Sequence, residues 1–186
     1  MSAKYKVAVL VGSLRKGSLN RMMANAARAV APAQLDLKIV EIGGLPLYND
    51  DLEANVPAAW TEFRQAIKSS DALLFVTPEY NRSVPGALKN AIDVGSRPYG
   101  QSVWSGRPAA IISVSPSAIG AFGANQHLRQ CFVFLDVPAL QQPEAYIGGA
   151  AKLFNAQGTL ENEGTKEFIQ KFMATFTRWI EKTSGK

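Results

Sequence analysis

The chain has 186 residues, 47% of them hydrophobic, which is enough to bury one full core and slightly above the usual single-domain size, so one domain spanning 1–186 is expected. A single cysteine, Cys131, excludes an internal disulfide, and a single histidine, His127, leaves no zinc-type ligand cluster. The net charge of +5 forms no basic run and lacks interleaved aromatics, which argues against a nucleic-acid surface; the first apolar run, 7–11, is too short for a signal-peptide core or a bilayer span, so a cytoplasmic protein is expected.

The first apolar segment, Tyr5–Val11, reads as a strand and leads into VGSLRKGSLNR at 11–21. A turn kept small by Gly12 and Gly17 opens a helix there, which is where an open α/β sheet binds phosphate. Free helix N-terminal amides, the hydroxyls of Ser13 and Ser18, the amide of Asn20 and the guanidinium of Arg15 would form a nest for a terminal phosphate. The two familiar nucleotide loops do not match. Gly12 and Gly17 have P-loop spacing, but Ser18-Leu19 follows where Lys-Ser/Thr is required, and no Gly-x-Gly-x-x-Gly occurs. Six basic and no acidic residues fall in 1–35, against six acidic residues in 36–63. A positive field beside the loop would draw in small anions; ordinary surface charge is the alternative.

Helical periodicity covers Leu19–Val30, with Leu19, Met22, Met23, Ala26, Ala27 and Val30 along one stripe facing a sheet. Further strands are expected at 36–42, 71–77, 109–115 and about 137–147. Between them, Trp60, Phe63 and Ile67 align on a second helix, and Pro85 opens a third that runs to about 94. The last helix, 165–182, aligns Phe168, Phe172, Phe176 and Trp179 or Ile180. Segments 43–57 and 95–107 are loops by their Gly, Pro and Asn content, and 148–164 is an excursion before the final helix. Right-handed crossovers then predict an α/β fold of flavodoxin type: a doubly wound five-stranded parallel sheet, order 2-1-3-4-5, with helices on both faces. Its switch point lies between strands one and three, so the loops beginning at Gly12 and Pro78 should meet around one ligand.

The second loop opens PEYNRSVPGALKNAID at 78–93. Pro78 stops the strand and Pro85 starts the next helix, leaving backbone amides, an aromatic and an amide side chain that suit a flat heteroaromatic ring. A phosphate monoester joined to such a ring describes FMN better than NAD or ATP. Taken with GSLRKGSLN (12–20), LPLYNDD (45–51), the Ser-rich turn at 113–117 and HLRQ (127–130), the sequence resembles the NADPH-dependent FMN reductase family, and within it the bacterial chromate and quinone reductases. The match covers nearly the whole chain. It implies that Ser13, Arg15, Ser18, Leu19 and Asn20 bind the FMN phosphate, that Pro78, Glu79, Tyr80 and Asn81 line the isoalloxazine, and that Ser115 and Ser117 close the ring pocket. Amides directed at the flavin N1/C2 carbonyl edge would stabilise the negative charge that develops on reduction. At Glu79 and Tyr80 the backbone is expected to serve more than the side chains, for which a solvated carboxylate and a packing aromatic are the alternatives.

His127 and Cys131 are four apart on a helix face, a spacing that permits a metal or thiol pair, but a buried helix residue and an ordinary core cysteine are expected. CFVFL (131–135) is apolar on successive positions, so no single face can bury it all; a sheet on one side and a second subunit on the other would. The resemblance implies dimers or tetramers built through such a helix. Gly123 and Gln126 stand where some relatives carry Arg and Tyr, so the polar interface network of those relatives is not expected here.

The activity that fits is a reductase passing hydride from NADPH or NADH through flavin N5 to a small acceptor such as a quinone, chromate or a ferric complex, in ping-pong order. It needs no catalytic acid, base or nucleophile from the protein and no metal. Arg82, Arg97 and Arg107 are candidates for steering anionic NADPH and acceptors. The alternative is a flavodoxin-like FMN electron carrier that docks onto protein partners. Carriers of that kind are acidic and sandwich the flavin between aromatics, whereas this chain is basic and offers mainly Tyr80 near the ring.

Overall fold

A computed structural model describes residues 4–184. Five strands, β1 (Tyr5–Val11), β2 (Leu35–Val40), β3 (Ala72–Thr77), β4 (Ala109–Val114) and β5 (Ala145–Ile147), alternate with five helices, α1 (Leu19–Val30), α2 (Ala58–Lys68), α3 (Gly86–Gly95), α4 (Phe122–Phe134) and α5 (Glu163–Ser184). The sheet is parallel throughout, in the order β2-β1-β3-β4-β5, the expected doubly wound arrangement. A parallel sheet is covered on both faces, which is why β1, β3 and β4 are nearly continuous apolar runs.

Alternate residues of each strand feed two cores. Val9, Val11, Leu74, Val76 and Ile112 pack with Met23 of α1 and Phe172 and Phe176 of α5. Leu10, Leu73, Phe75 and Ile111 pack on the other face with Trp60, Leu88, Trp104 and Phe132. Register brings Leu10 opposite Phe75 and Thr77 opposite Ser113, so β1, β3 and β4 end at one edge of the sheet.

Three local expectations change. The buried positions of α1 are Asn20, Met23, Ala24 and Ala27, a stripe rotated from the predicted one, because the helix lies between the sheet and α5. The fifth strand shrinks from 137–147 to three residues, since Pro138 and Pro143 cannot donate to a ladder; upstream, a single bridge joins Ala109 to Ala139. The loops at 43–57 and 148–164 each contain a short 3-10 helix, Asp50–Asn55 and Ala150–Lys152. No helix among the described residues is long and apolar enough to cross a membrane.

Candidate active site

The two loops meet at the switch point, and Gly12 is the joint between them. Its N–H donates to the Val76 carbonyl at 2.9 Å, and a Cβ there would stand 2.9 Å from Thr77 Oγ1 and 3.1 Å from Pro78 Cδ. Only glycine lets the turn after β1 lie this close to the turn after β3.

Along the first loop Ser13, Ser18 and Asn20 are buried, while Arg15 and Lys16 are exposed. Ser18 caps α1, its Oγ accepting from the Arg21 N–H at 3.2 Å, and the first turn of the helix holds no acidic residue to oppose an anion. Arg15 donates to the Gly17 carbonyl at 3.2 Å and forms no ion pair among the described residues. Arg21, by contrast, is committed to Glu41 through two hydrogen bonds of 2.8 and 2.7 Å, which raise the pKa of the guanidinium and lower that of the carboxylate. The positive field at the loop therefore comes from Arg15, Lys16 and the helix end. Ser13, Arg15, Ser18 and Arg21 face an open cavity of about 610 Å³ with Glu41 on its rim.

Asn20 gives the strongest indication of a ligand: its buried Oδ1 has no hydrogen-bond partner among the described residues, while its Nδ2 reaches the Val114 carbonyl only at 3.5 Å. An orphaned buried acceptor costs about 1–3 kcal/mol, so a donor from a ligand is called for. FMN fits on both counts, with a phosphate for the unopposed helix end and Arg15, and polyol hydroxyls able to donate.

The second loop is a tight hairpin. Tyr80 and Ser83 exchange backbone hydrogen bonds of 3.1 and 3.0 Å, with Asn81 at φ 51° and Arg82 at φ 64° between them. Tyr80 is 54% exposed and so does not pack in the core. Glu79 is not the solvated carboxylate considered from sequence, its side chain being 10% exposed. Ser115 and Ser117 stand on the third loop, their hydroxyls 2.8 Å apart, with the Ser117 N–H donating to Ser115 Oγ at 3.0 Å. That loop is locked to the end of β5, where Gly149 and Ala150 donate to the Ser117 and Ser115 carbonyls. The structure thus brings eleven sequence-predicted residues, Ser13, Arg15, Ser18, Leu19 and Asn20, Pro78 to Asn81, and Ser115 and Ser117, to the carboxyl ends of β1, β3 and β4.

The arginines divide. Arg82 is at the hairpin, 75% exposed and paired with Glu79 at 3.0 Å. Arg97 follows α3, whose 10 residues carry it about 15 Å from the hairpin edge; its guanidinium lies over the Tyr99 ring. Arg107 is not a steering residue. It donates to the carbonyls of Lys68, Ser70 and Val103, capping the end of α2 at the opposite edge of the sheet, and burial lowers its pKa. Two expectations about α4 also need correcting: His127 is exposed instead of buried, and Cys131 is half-buried beside the groove between α3 and α4.

Sequence reasoning missed Asn90, which lies inside a quoted motif without a role assigned to it. Its Oδ1 accepts from the Tyr48 N–H at 2.8 Å and its Nδ2 donates to the Pro46 carbonyl at 3.1 Å, pinning the LPLYNDD segment to α3. An asparagine in mid-helix, where it is a poor helix former, was the available signal.

Residues 5–152 match the model of the NADPH-dependent FMN reductase family. The chain is 64% identical over 181 residues to a quinone reductase of Pseudomonas putida, covering 97% of each chain, and 46% identical over 175 residues to a 2-hydroxy-1,4-benzoquinone reductase of Burkholderia sp, covering 94% of this chain and 96% of that one. Among solved structures, the flavoenzyme NAD(P)H:(acceptor) oxidoreductase FerB of Paracoccus denitrificans superposes with a TM-score of 0.91 at 45% identity, covering 96% of this chain and 98% of that one. Motifs, fold and loop geometry lead to one conclusion: the chain belongs to the NADPH-dependent FMN reductase family, as an FMN-containing NAD(P)H oxidoreductase.

Proposed function

We propose that this protein reduces quinones at the expense of NAD(P)H, with chromate and similar oxidants as further acceptors, and that the two substrates use one face of the site in ping-pong order. The observation that carries the reading is the convergence, at one switch point, of a helix-end loop with the orphaned Asn20 Oδ1 and the tight Tyr80–Ser83 hairpin. The quinone reductases among its relatives support the choice of acceptor.

When bound, FMN supplies hydride acceptance and release at N5. The protein's part is binding and electrostatics. Ser13, Arg15, Ser18 and the backbone at Leu19 and Asn20 would hold the phosphate against the α1 dipole, with Asn20 Oδ1 left to accept from the polyol hydroxyls. Backbone groups of Pro78, Glu79, Tyr80 and Asn81 would line the ring, where a backbone donor reaching its N1/C2 edge would favour the reduced, more negative form. Ser115 and Ser117 close the pocket from β4. Arg82, exposed on the hairpin, steers anionic NADPH and acceptors. On this reading the whole chain is one reductase domain and works in the cytoplasm, where its reductant is regenerated.

The functional unit is a dimer or tetramer. Phe132 and Leu135 are buried in the core, but Val133 is 85% and Phe134 71% exposed, beside a groove of about 430 Å³ between α3 and α4. A second copy covering this pair would give Arg97 a site to serve that its own hairpin is too distant to offer.

Initial rates of NAD(P)H oxidation with a benzoquinone, varied in both substrates, test the proposal. Parallel double-reciprocal lines and one FMN per chain are expected. Failure to take up FMN refutes the enzyme and the carrier alike; no turnover with quinone while a protein acceptor is reduced refutes the enzyme in favour of the carrier; intersecting lines refute the ping-pong order.

A further inference from the structure

Glu79 belongs to the ring hairpin, yet its carboxylate is turned toward another element. Oε2 accepts from the Ala124 N–H at 3.2 Å, and Oε1 accepts from Arg82 Nη1 at 3.0 Å. Ala124 lies in the first turn of α4. That turn has no acidic residue and no side-chain cap of its own, and it follows Ala121 in the left-handed region at φ 60°. Phe122 N–H donates to the Ile119 carbonyl, and for the Ala124 N–H and the helix dipole an acceptor arrives from Glu79, 45 residues earlier.

Two further contacts join the same surfaces. A Cβ on Gly123 would stand 2.7 Å from the Arg82 carbonyl oxygen and 2.9 Å from Glu79 Oε2, so the hairpin backbone rests directly on the first turn of α4. One turn later, His127 Nδ1 is 2.9 Å from Ser83 Oγ. Between these anchors sit Asn81 and Arg82, both at positive φ. Arginine tolerates that conformation poorly, and such a turn persists only where its surroundings fix it.

We propose that Glu79 is a positioning residue: its carboxylate, capping α4, holds the Pro78–Asn81 backbone where it meets the flavin ring, and in this chain Gly123 leaves the hairpin room to rest directly on that turn. The inference rests on the FMN reading above and assigns a task to a side chain where that reading uses only backbone. It also makes α4 a structural part of the cofactor site, although that helix supplies none of the residues proposed to touch flavin.

Three variants test it: Glu79→Ala removes the acceptor, Glu79→Gln keeps one, and Gly123→Ala adds only a methyl group at the contact. Hydrogen exchange in the apoprotein reads the clamp without flavin, and FMN titration with the visible spectrum of the bound flavin reads its consequence. Glu79→Ala and Gly123→Ala should each accelerate exchange over 78–84 and the first turn of α4, leave 12–20 unchanged, weaken FMN about tenfold and shift the spectrum. Glu79→Gln should stay within about threefold of wild type. Wild-type FMN affinity and exchange in Glu79→Ala overturn the proposal, as does faster exchange spread over the whole chain. A wild-type protein that binds no FMN refutes the flavin reading instead.

Discussion

Truncating Arg15 to alanine isolates the proposed phosphate contact from the rest of the site. In the protein its guanidinium donates to the Gly17 carbonyl at 3.2 Å on an exposed loop, so removing it should change the stability of the apoprotein by less than about 0.5 kcal/mol. Toward a phosphate the same group can form charge-assisted, bidentate hydrogen bonds worth about 1.5–3 kcal/mol, which corresponds to a loss of FMN affinity of about 10- to 150-fold. Lys16 is an exposed point charge and Arg21 is already bound to Glu41, so Lys16→Ala and Arg21→Ala should each cost less than about 1 kcal/mol of FMN binding. The assay is quenching of flavin fluorescence on titration of the apoprotein, run with FMN and with riboflavin. Riboflavin has no phosphate, so wild type and Arg15→Ala should bind it alike. Equal losses for Arg15→Ala and Lys16→Ala, or an equal loss for both flavins, would show that the guanidinium is not on the phosphate.

Phe134→Asp places a charge on a 71% exposed side chain and should leave a folded but smaller species with lower flavin occupancy, whereas Phe132→Asp buries the charge against Phe75, 4.9 Å away, and should cost several kcal/mol of stability. A monomer by light scattering in the active wild type refutes the interface. Glu53→Ala leaves Arg64, whose side chain is 10% exposed over the Trp60 ring, without its 2.6 Å partner and should lower the unfolding free energy by about 3 kcal/mol in urea; a loss under about 1 kcal/mol refutes the pairing. Tyr146 donates to Glu144 at 2.6 Å, and burial, followed by that bond, pushes its pKa up to about 12 from 10.0. A pKa raised on folding contributes stability that is fully present below pH 10 and lost as the pH rises toward about 12. Thermal midpoints should therefore fall more steeply over that range in wild type than in Tyr146→Phe, and equal slopes would refute the shift.

Much of the fold could be read locally. The sheet order followed from alternating strand and helix patterns plus the handedness of crossovers, since each rule acts on neighbouring elements. The loop proposed to hold phosphate was legible for a similar reason: Gly12, Ser18 and the helix they open lie within one short segment, and the anion affinity proposed for it rests on the helix end itself. The hairpin was bracketed by Pro78 and Pro85, whose constraint on the backbone is independent of context.

What the sequence by itself determined, then, was the order of elements, the sheet, and the position of the two loops. Packing decided the rest. The stripe of α1 turned because α5 occupies one side of it, and β5 was cut short by Pro138 and Pro143. Three arginines of similar sequence character took three fates, one at the hairpin, one about 15 Å away down α3, and one capping α2 at the far edge. Glu79 became the cap of a helix that begins 43 residues later. Backbone propensity and apolar periodicity are encoded within a few residues, but a charged side chain finds its partner only once distant elements are in place, and the sequence does not carry that distance.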